Sequence, residues 1–106
     1  MSESIKEALD SYVRYISSLE GVLQIYLFGS YANGTAHERS DIDLMVIVDD
    51  SLNRAKMAVK ISIGLAHRTV PLDVLVNRKT DFLRASGEPT LQHLIKSEGV
   101  LLYGVE

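Results

Sequence analysis

Gly29-Ser30-Tyr31-Ala32-Asn33-Gly34-Thr35-Ala36-His37-Glu38-Arg39-Ser40-Asp41-Ile42-Asp43-Leu44 is the stretch whose reading decides the fold. It follows one apolar segment, Val22 to Phe28, and runs into another, Ile42 to Val48, whose β-branched and aromatic content and length suit buried strands. The residues between are a strand-to-strand connection, with a short helix expected from Ser30 to Ala36. Asp41 and Asp43 stand two residues apart at the mouth of the second strand, and because strand side chains alternate with period two, both carboxylates leave the same face. Like charges placed this way repel and add nothing to packing, so they call for a counter-charge. A divalent cation that prefers hard oxygen ligands, magnesium above others, suits them. Gly29 lets backbone approach a ligand closely, and Ser30 adds a hydroxyl and amides of the kind that hold phosphate oxygens.

The remaining sequence reads as a scaffold for that stretch. At 106 residues, 46% hydrophobic and 24% charged, the chain matches one compact domain, 1–106, with a single core. Without cysteine, disulfides and thiolate metal sites are excluded. The apolar runs fall short of the roughly 20 residues of a membrane helix, and Met1-Ser2-Glu3-Ser4 lacks the basic-then-apolar character of a secretory leader. A cytoplasmic location with no membrane partner is therefore expected. The net charge of −3 argues against a long nucleic-acid partner. Charge is unevenly spread: residues 1–53 carry nine acids and three bases, residues 54–106 five acids and eight bases. The second half is the better source of groups for a triphosphate or an acidic partner.

Ahead of the first strand, Ser4-Ile5-Lys6-Glu7 reads as a capping box, and Ile5, Leu9, Tyr12, Val13, Ile16 and Leu19 follow as one apolar helix face closed by Gly21. After the second strand, Ser51 is the expected cap for a helix from Leu52 to about Arg68, with Leu52, Ala55, Val59, Ile63 and Ala66 facing inward. Gly64 inside it implies close packing on the sheet, since glycine costs about 1 kcal/mol against alanine in a helix interior. Thr80 or Asp81 caps a short helix through Arg84. Pro89-Thr90 opens another through Ser97, ended by Gly99, with Leu91, Leu94 and Ile95 as its core face. Val100 to Tyr103 is a short terminal strand.

Pro71 to Val76 is the third strand, and Asp73 alone interrupts its apolar run. Buried without a partner, that carboxylate would cost several kcal/mol, so it faces solvent, a cation or the site of the other two acids. A strand, a helix and a further strand form a right-handed crossover, which sets the third strand parallel to the second and adjacent to it. Asp43 and Asp73 both lie near the starts of these strands, and their carboxylates converge. His37, His67 and His93 have neither the spacing nor the companions of a zinc site and receive no role. Arg39 suits either a solvated loop or a phosphate contact. Tyr31 alone among the tyrosines is placed to touch a nucleotide, with core packing its default.

Gly29-Ser30, ten residues, then Asp41-Ile42-Asp43 resembles the signature of the nucleotidyltransferase superfamily that includes the catalytic domain of DNA polymerase β. The short length, the Ser40-Asp41-Ile42-Asp43-Leu44 run and the Val100-Leu101-Leu102-Tyr103-Gly104 ending resemble the minimal nucleotidyltransferases, among them the MNT antitoxins that pair with HEPN-domain toxins. The resemblance spans nearly the whole chain. It implies an α+β nucleotidyltransferase fold, a small mixed sheet (first two strands antiparallel, second and third parallel) flanked by four to five helices. It also implies Asp41, Asp43 and Asp73 as catalytic residues and ligands of two Mg²⁺ ions, with Gly29, Ser30 and Arg39 binding a nucleoside triphosphate. The expected reaction is transfer of AMP from ATP to a tyrosine hydroxyl of a HEPN-type toxin, in a hetero-oligomer, so that the chain acts as antitoxin. Two other readings stand beside it: a non-catalytic antitoxin that neutralises its partner by occlusion, and a small-molecule nucleotidyltransferase acting as a homodimer.

Overall fold

The computed structural model describes residues 1–105. In chain order its elements are α1 (Glu3–Ser17), β1 (Val22–Phe28), α2 (Ser30–Asn33), β2 (Ile42–Val48), α3 (Arg54–Gly64), β3 (Leu72–Arg78), α4 (Lys79–Ser86), α5 (Leu91–Glu98) and β4 (Val100–Tyr103). The strands form one sheet in the order β3-β2-β1-β4. β1 runs antiparallel to β2 and to β4, while β2 and β3 run parallel. This is the mixed α+β sheet that the sequence implies, with both central strands beginning and ending where their apolar runs do.

Alternation along the strands divides the core between the two sheet faces. On one, Ile25 and Leu27 of β1, Ile42, Leu44, Val46 and Val48 of β2 and Val76 of β3 pack under α1 and α3. On the other, Tyr26, Met45 and Ile47 meet Phe82 of α4 and Ile95 of α5, with the Tyr26 and Phe82 rings stacked at 5.8 Å. Both faces of β2 are covered for most of its length, which is why it is apolar almost without a break. β3 lies at an edge and alternates: Leu72, Val74 and Val76 turn toward the first face, whereas Asp73 and Leu75 are exposed.

α1 presents the expected stripe, with Ala8, Leu9, Tyr12 and Ile16 buried, but it begins two residues early. Ser2 is its cap and accepts from the Ile5 N–H at 3.3 Å, and Glu3 in the first turn complements the helix dipole. Tyr12 donates its hydroxyl proton to the Val70 carbonyl (2.7 Å) and accepts from the Val70 N–H (2.9 Å). It thereby fastens the chain entering β3 to α1.

α3 differs from the expectation in extent and in facing. Asn53, not Ser51, is the cap, its side chain accepting from the Lys56 N–H at 3.0 Å, and the helix ends at Gly64. The buried stripe is Met57, Ile61 and Leu65, while Ala55, Val59, Ile63 and Ala66 are exposed and Leu52 packs against the core from the preceding turn. Both stripes are apolar, and the larger Met57-Ile61-Leu65 set fills the space above β2 and β3. Gly64 packs not on the sheet but against α1, where a β-carbon would collide with the Tyr15 ring.

α4 spans Lys79 to Ser86, and neither Thr80 nor Asp81 caps it. Instead Asp50, from the turn after β2, accepts from the Thr80 N–H (2.9 Å) and from its hydroxyl. Those bonds hold the Asp50 carboxyl below the usual carboxylate range. In α5, Thr90 caps as expected by accepting from the His93 N–H, but of the expected core face only Ile95 is buried; Leu91 and Leu94 are about half exposed. No helix among the described residues is long and apolar enough to cross a membrane.

Candidate active site

The three acids occupy one end of one sheet face. The β1–β2 register pairs Phe28 with Asp43, and the β2–β3 register pairs Asp43 with Asp73. Register partners in a sheet share a face, so Asp43 and Asp73 project together, and Asp41, two residues upstream and just ahead of β2, is near enough for its charge to act on Asp43. It is the face that α4 and α5 cover further along β2, at Met45 and Ile47. The acids therefore stand at its open end, Asp43 partly buried and Asp41 and Asp73 exposed. Partial burial, then the negative charges of Asp73 and Asp41, push the Asp43 carboxyl above its usual range.

Gly29 closes the site from the β1 side. Its backbone lies at φ +74°, in the region that L side chains rarely adopt, and a β-carbon there would run into the Asp43 carboxylate. The position accepts only glycine, on backbone and steric grounds together. The next residues form α2, whose Ala32 and Asn33 N–H groups turn back to the Gly29 carbonyl at 3.0 and 3.1 Å, placing Ser30 at the start of the turn. α2 ends at Asn33, not Ala36, because Gly34 reverses the chain at φ +82°.

Arg39 lies exposed in the loop before Asp41; its backbone N–H donates to Nδ1 of His37 at 3.2 Å. Its guanidinium takes no part in the ion pairs of the described residues, which join Asp81 to Arg78 and Arg84. Tyr31 packs partly buried against the α1–α3 core. Beside Gly29 runs a groove of about 390 Å³, lined by Phe28, Ala32, Leu91 and Leu94 among others. Sequence patterning placed Leu91 and Leu94 in the core; they line this groove instead.

The donor chemistry suits magnesium: hard carboxylate oxygens with mutually unfavourable charge. As the side chains stand, no group of three or more His, Cys, Asp or Glu residues among those described is disposed to hold a metal ion. Asp41 and Asp73, being exposed, have the rotamer freedom to swing toward Asp43.

A glycine turn pressed on a strand-borne acid, with a second acid just before that strand and a third on its parallel neighbour, is a nucleotidyltransferase arrangement. The model of the polymerase beta nucleotidyltransferase family matches residues 10–106, and the chain belongs to that family. Over 44 residues, 39% of this chain and 32% of its relative, it is 48% identical to the protein adenylyltransferase MntA of Shewanella oneidensis. Over 47 residues, 44% of this chain and 47% of the other, it is 45% identical to a candidate protein adenylyltransferase of Methanocaldococcus jannaschii. The matched stretch is thus about a third to a half of these relatives' length. Among solved structures, a candidate nucleotidyltransferase of Sulfolobus solfataricus shares the fold with a TM-score of 0.63 at 21% identity, over 92% of this chain and 78% of that one. A toxin–antitoxin complex solved with AMP-PNP superposes with a TM-score of 0.56 at 28% identity, over 94% of this chain and 73% of its counterpart.

Proposed function

We propose that this chain is a Mg²⁺-dependent nucleotidyltransferase that transfers AMP from ATP to a tyrosine hydroxyl of a HEPN-domain toxin, and so acts as the toxin's antitoxin in the cytoplasm. The observation that carries the reading is the register of β2 and β3, which sets Asp73 beside Asp43, two residues after Asp41. The relatives named as protein adenylyltransferases, and the antitoxin fold solved with a nucleotide analogue, support the choice of acceptor and donor.

Asp41, Asp43 and Asp73 would hold two Mg²⁺ ions, which when bound neutralise charge on the phosphates and on the attacking and leaving oxygens. Asp73, exposed on the edge strand, orients the acceptor hydroxyl and takes its proton. A bond forms from that oxygen to the α-phosphorus of ATP, the bond to the β-phosphate bridging oxygen breaks, and pyrophosphate leaves. The Gly29 backbone and the Ser30 hydroxyl hold the departing phosphates, and Arg39 reaches them from the loop. The test is to identify the protein encoded beside this chain, incubate it with ATP, Mg²⁺ and a substoichiometric amount of this protein, then weigh that partner intact. Addition of AMP to most of the partner supports catalysis. Neutralisation with the partner's mass unchanged would replace this reading by occlusion.

A further inference from the structure

α3 is apolar on two sides, and the fold uses one. Met57 and Ile61 are buried, with Leu65 at the C-cap buried after them, yet Ala55, Val59 and Ile63 line the opposite side, Val59 58% and Ile63 71% exposed, and exposed Ala66 follows in the turn beyond the helix. A helix apolar around most of its circumference is ordinarily covered around most of its circumference. Here the outer stripe occurs at i, i+4 and i+8, the spacing of a second packing face. Lys56 and Lys60, one turn apart and both exposed, run along its side, and Arg54 begins the helix. From Ser51 to Leu72 there is no Asp or Glu, while Arg54, Lys56, Lys60 and Arg68 are present. α1, on the same side of the sheet, carries exposed Glu3, Glu7 and Asp10.

This charge pattern selects the occupant. A symmetric pair of copies meeting α3 to α3 would set Lys56 and Lys60 against their own counterparts around the apolar stripe, which costs free energy. A nucleic-acid backbone would answer the lysines but leave Val59 and Ile63 without an apolar partner. We infer that the outer face of α3 docks an acidic, apolar helix face of the HEPN-domain partner. The inference rests on the proposed toxin–antitoxin pairing for the partner's identity. α3 covers one face of the sheet and the three carboxylates project from the other, so docking and nucleotidyl transfer are separable.

The experiment compares wild type, Val59→Glu/Ile63→Glu and Lys56→Glu/Lys60→Glu, with circular dichroism and melting to confirm that each folds. Affinity for the HEPN-domain protein is measured calorimetrically with ATP absent, at two salt concentrations, alongside separate titration of each variant with ATP-Mg²⁺. Both double variants should bind the partner at least tenfold more weakly while taking up ATP-Mg²⁺ as wild type does. The lysine variant should also lose much of the salt dependence. Wild-type affinity in both variants overturns the docking site, as does a homodimer that Val59→Glu/Ile63→Glu dissociates without weakening partner binding, or binding of RNA alone lost in the lysine variant. The reading of the active site fails separately: a partner that docks through α3 but never gains AMP refutes transfer and leaves the docking face standing.

Discussion

Asp43 of β2 is the register partner of Asp73 of β3, and the Asp41 carboxylate, just ahead of β2, acts on Asp43 as well. Burial and these two charges keep the Asp43 carboxyl above its usual range, so folding favours its protonated form. Above the raised value, Asp43 is ionised in both folded and unfolded chains and the full penalty applies; below the ordinary carboxylate value the penalty is gone. In metal-free buffer, Asp43→Asn should therefore melt higher than wild type at neutral pH, and the difference should close as pH falls through the carboxylate range. With ATP and Mg²⁺ the order reverses: wild type gains melting temperature and Asp41→Asn/Asp43→Asn does not. Differential scanning calorimetry across pH, with and without ATP-Mg²⁺, checks both.

Gly29 stands against the same carboxylate. Gly29→Ala should cost about 1–3 kcal/mol from the φ of +74°. It should also push the Asp43 side chain aside, lowering transfer at least tenfold in molecules that remain folded. Rates normalised to the folded fraction separate the two effects. Gly34→Ala is the control, since it shares the positive φ but meets nothing within 4 Å.

The Tyr12 hydroxyl serves both backbone groups of Val70, a job no other described side chain shares. Tyr12→Phe strands an N–H and a carbonyl near the start of β3 and should lower stability by about 1–3 kcal/mol. Transfer by the folded fraction should stay near wild type, because the site lies on the other sheet face. Urea titration with a parallel activity assay measures both.

Much of this architecture was legible because local and global preferences agree. β1 and β2 are short unbroken apolar runs, and the strand–helix–strand order set β3 parallel to β2, which was enough to align Asp73 with Asp43. α3 was not legible in its facing: two apolar stripes compete on one helix, and only the shape of the sheet beneath decides that Met57, Ile61 and Leu65 go inward. The α4 cap was hidden for another reason, since its acceptor, Asp50, lies thirty residues upstream in the chain, just past the end of the neighbouring strand β2. Likewise Gly64 answers to the Tyr15 ring on α1, a contact that no local pattern encodes. At the site, the acids and the glycine turn were readable from their spacing. The exposure of Leu91 and Leu94 beside Gly29 was not, because it depends on where α5 meets the end of β1.

The most direct measurement follows the α-phosphate. Wild type and Asp41→Asn/Asp43→Asn are each incubated with the HEPN-domain partner, Mg²⁺ and ATP labelled at either the α- or the γ-phosphate, and label on the partner is counted after denaturation. Nucleotidyl transfer predicts that α-label enters the partner in molar excess over a substoichiometric amount of wild type, that γ-label leaves as pyrophosphate, and that the double variant transfers neither. Label from the γ-position on the partner, or equal α-label with wild type and the double variant, would contradict it.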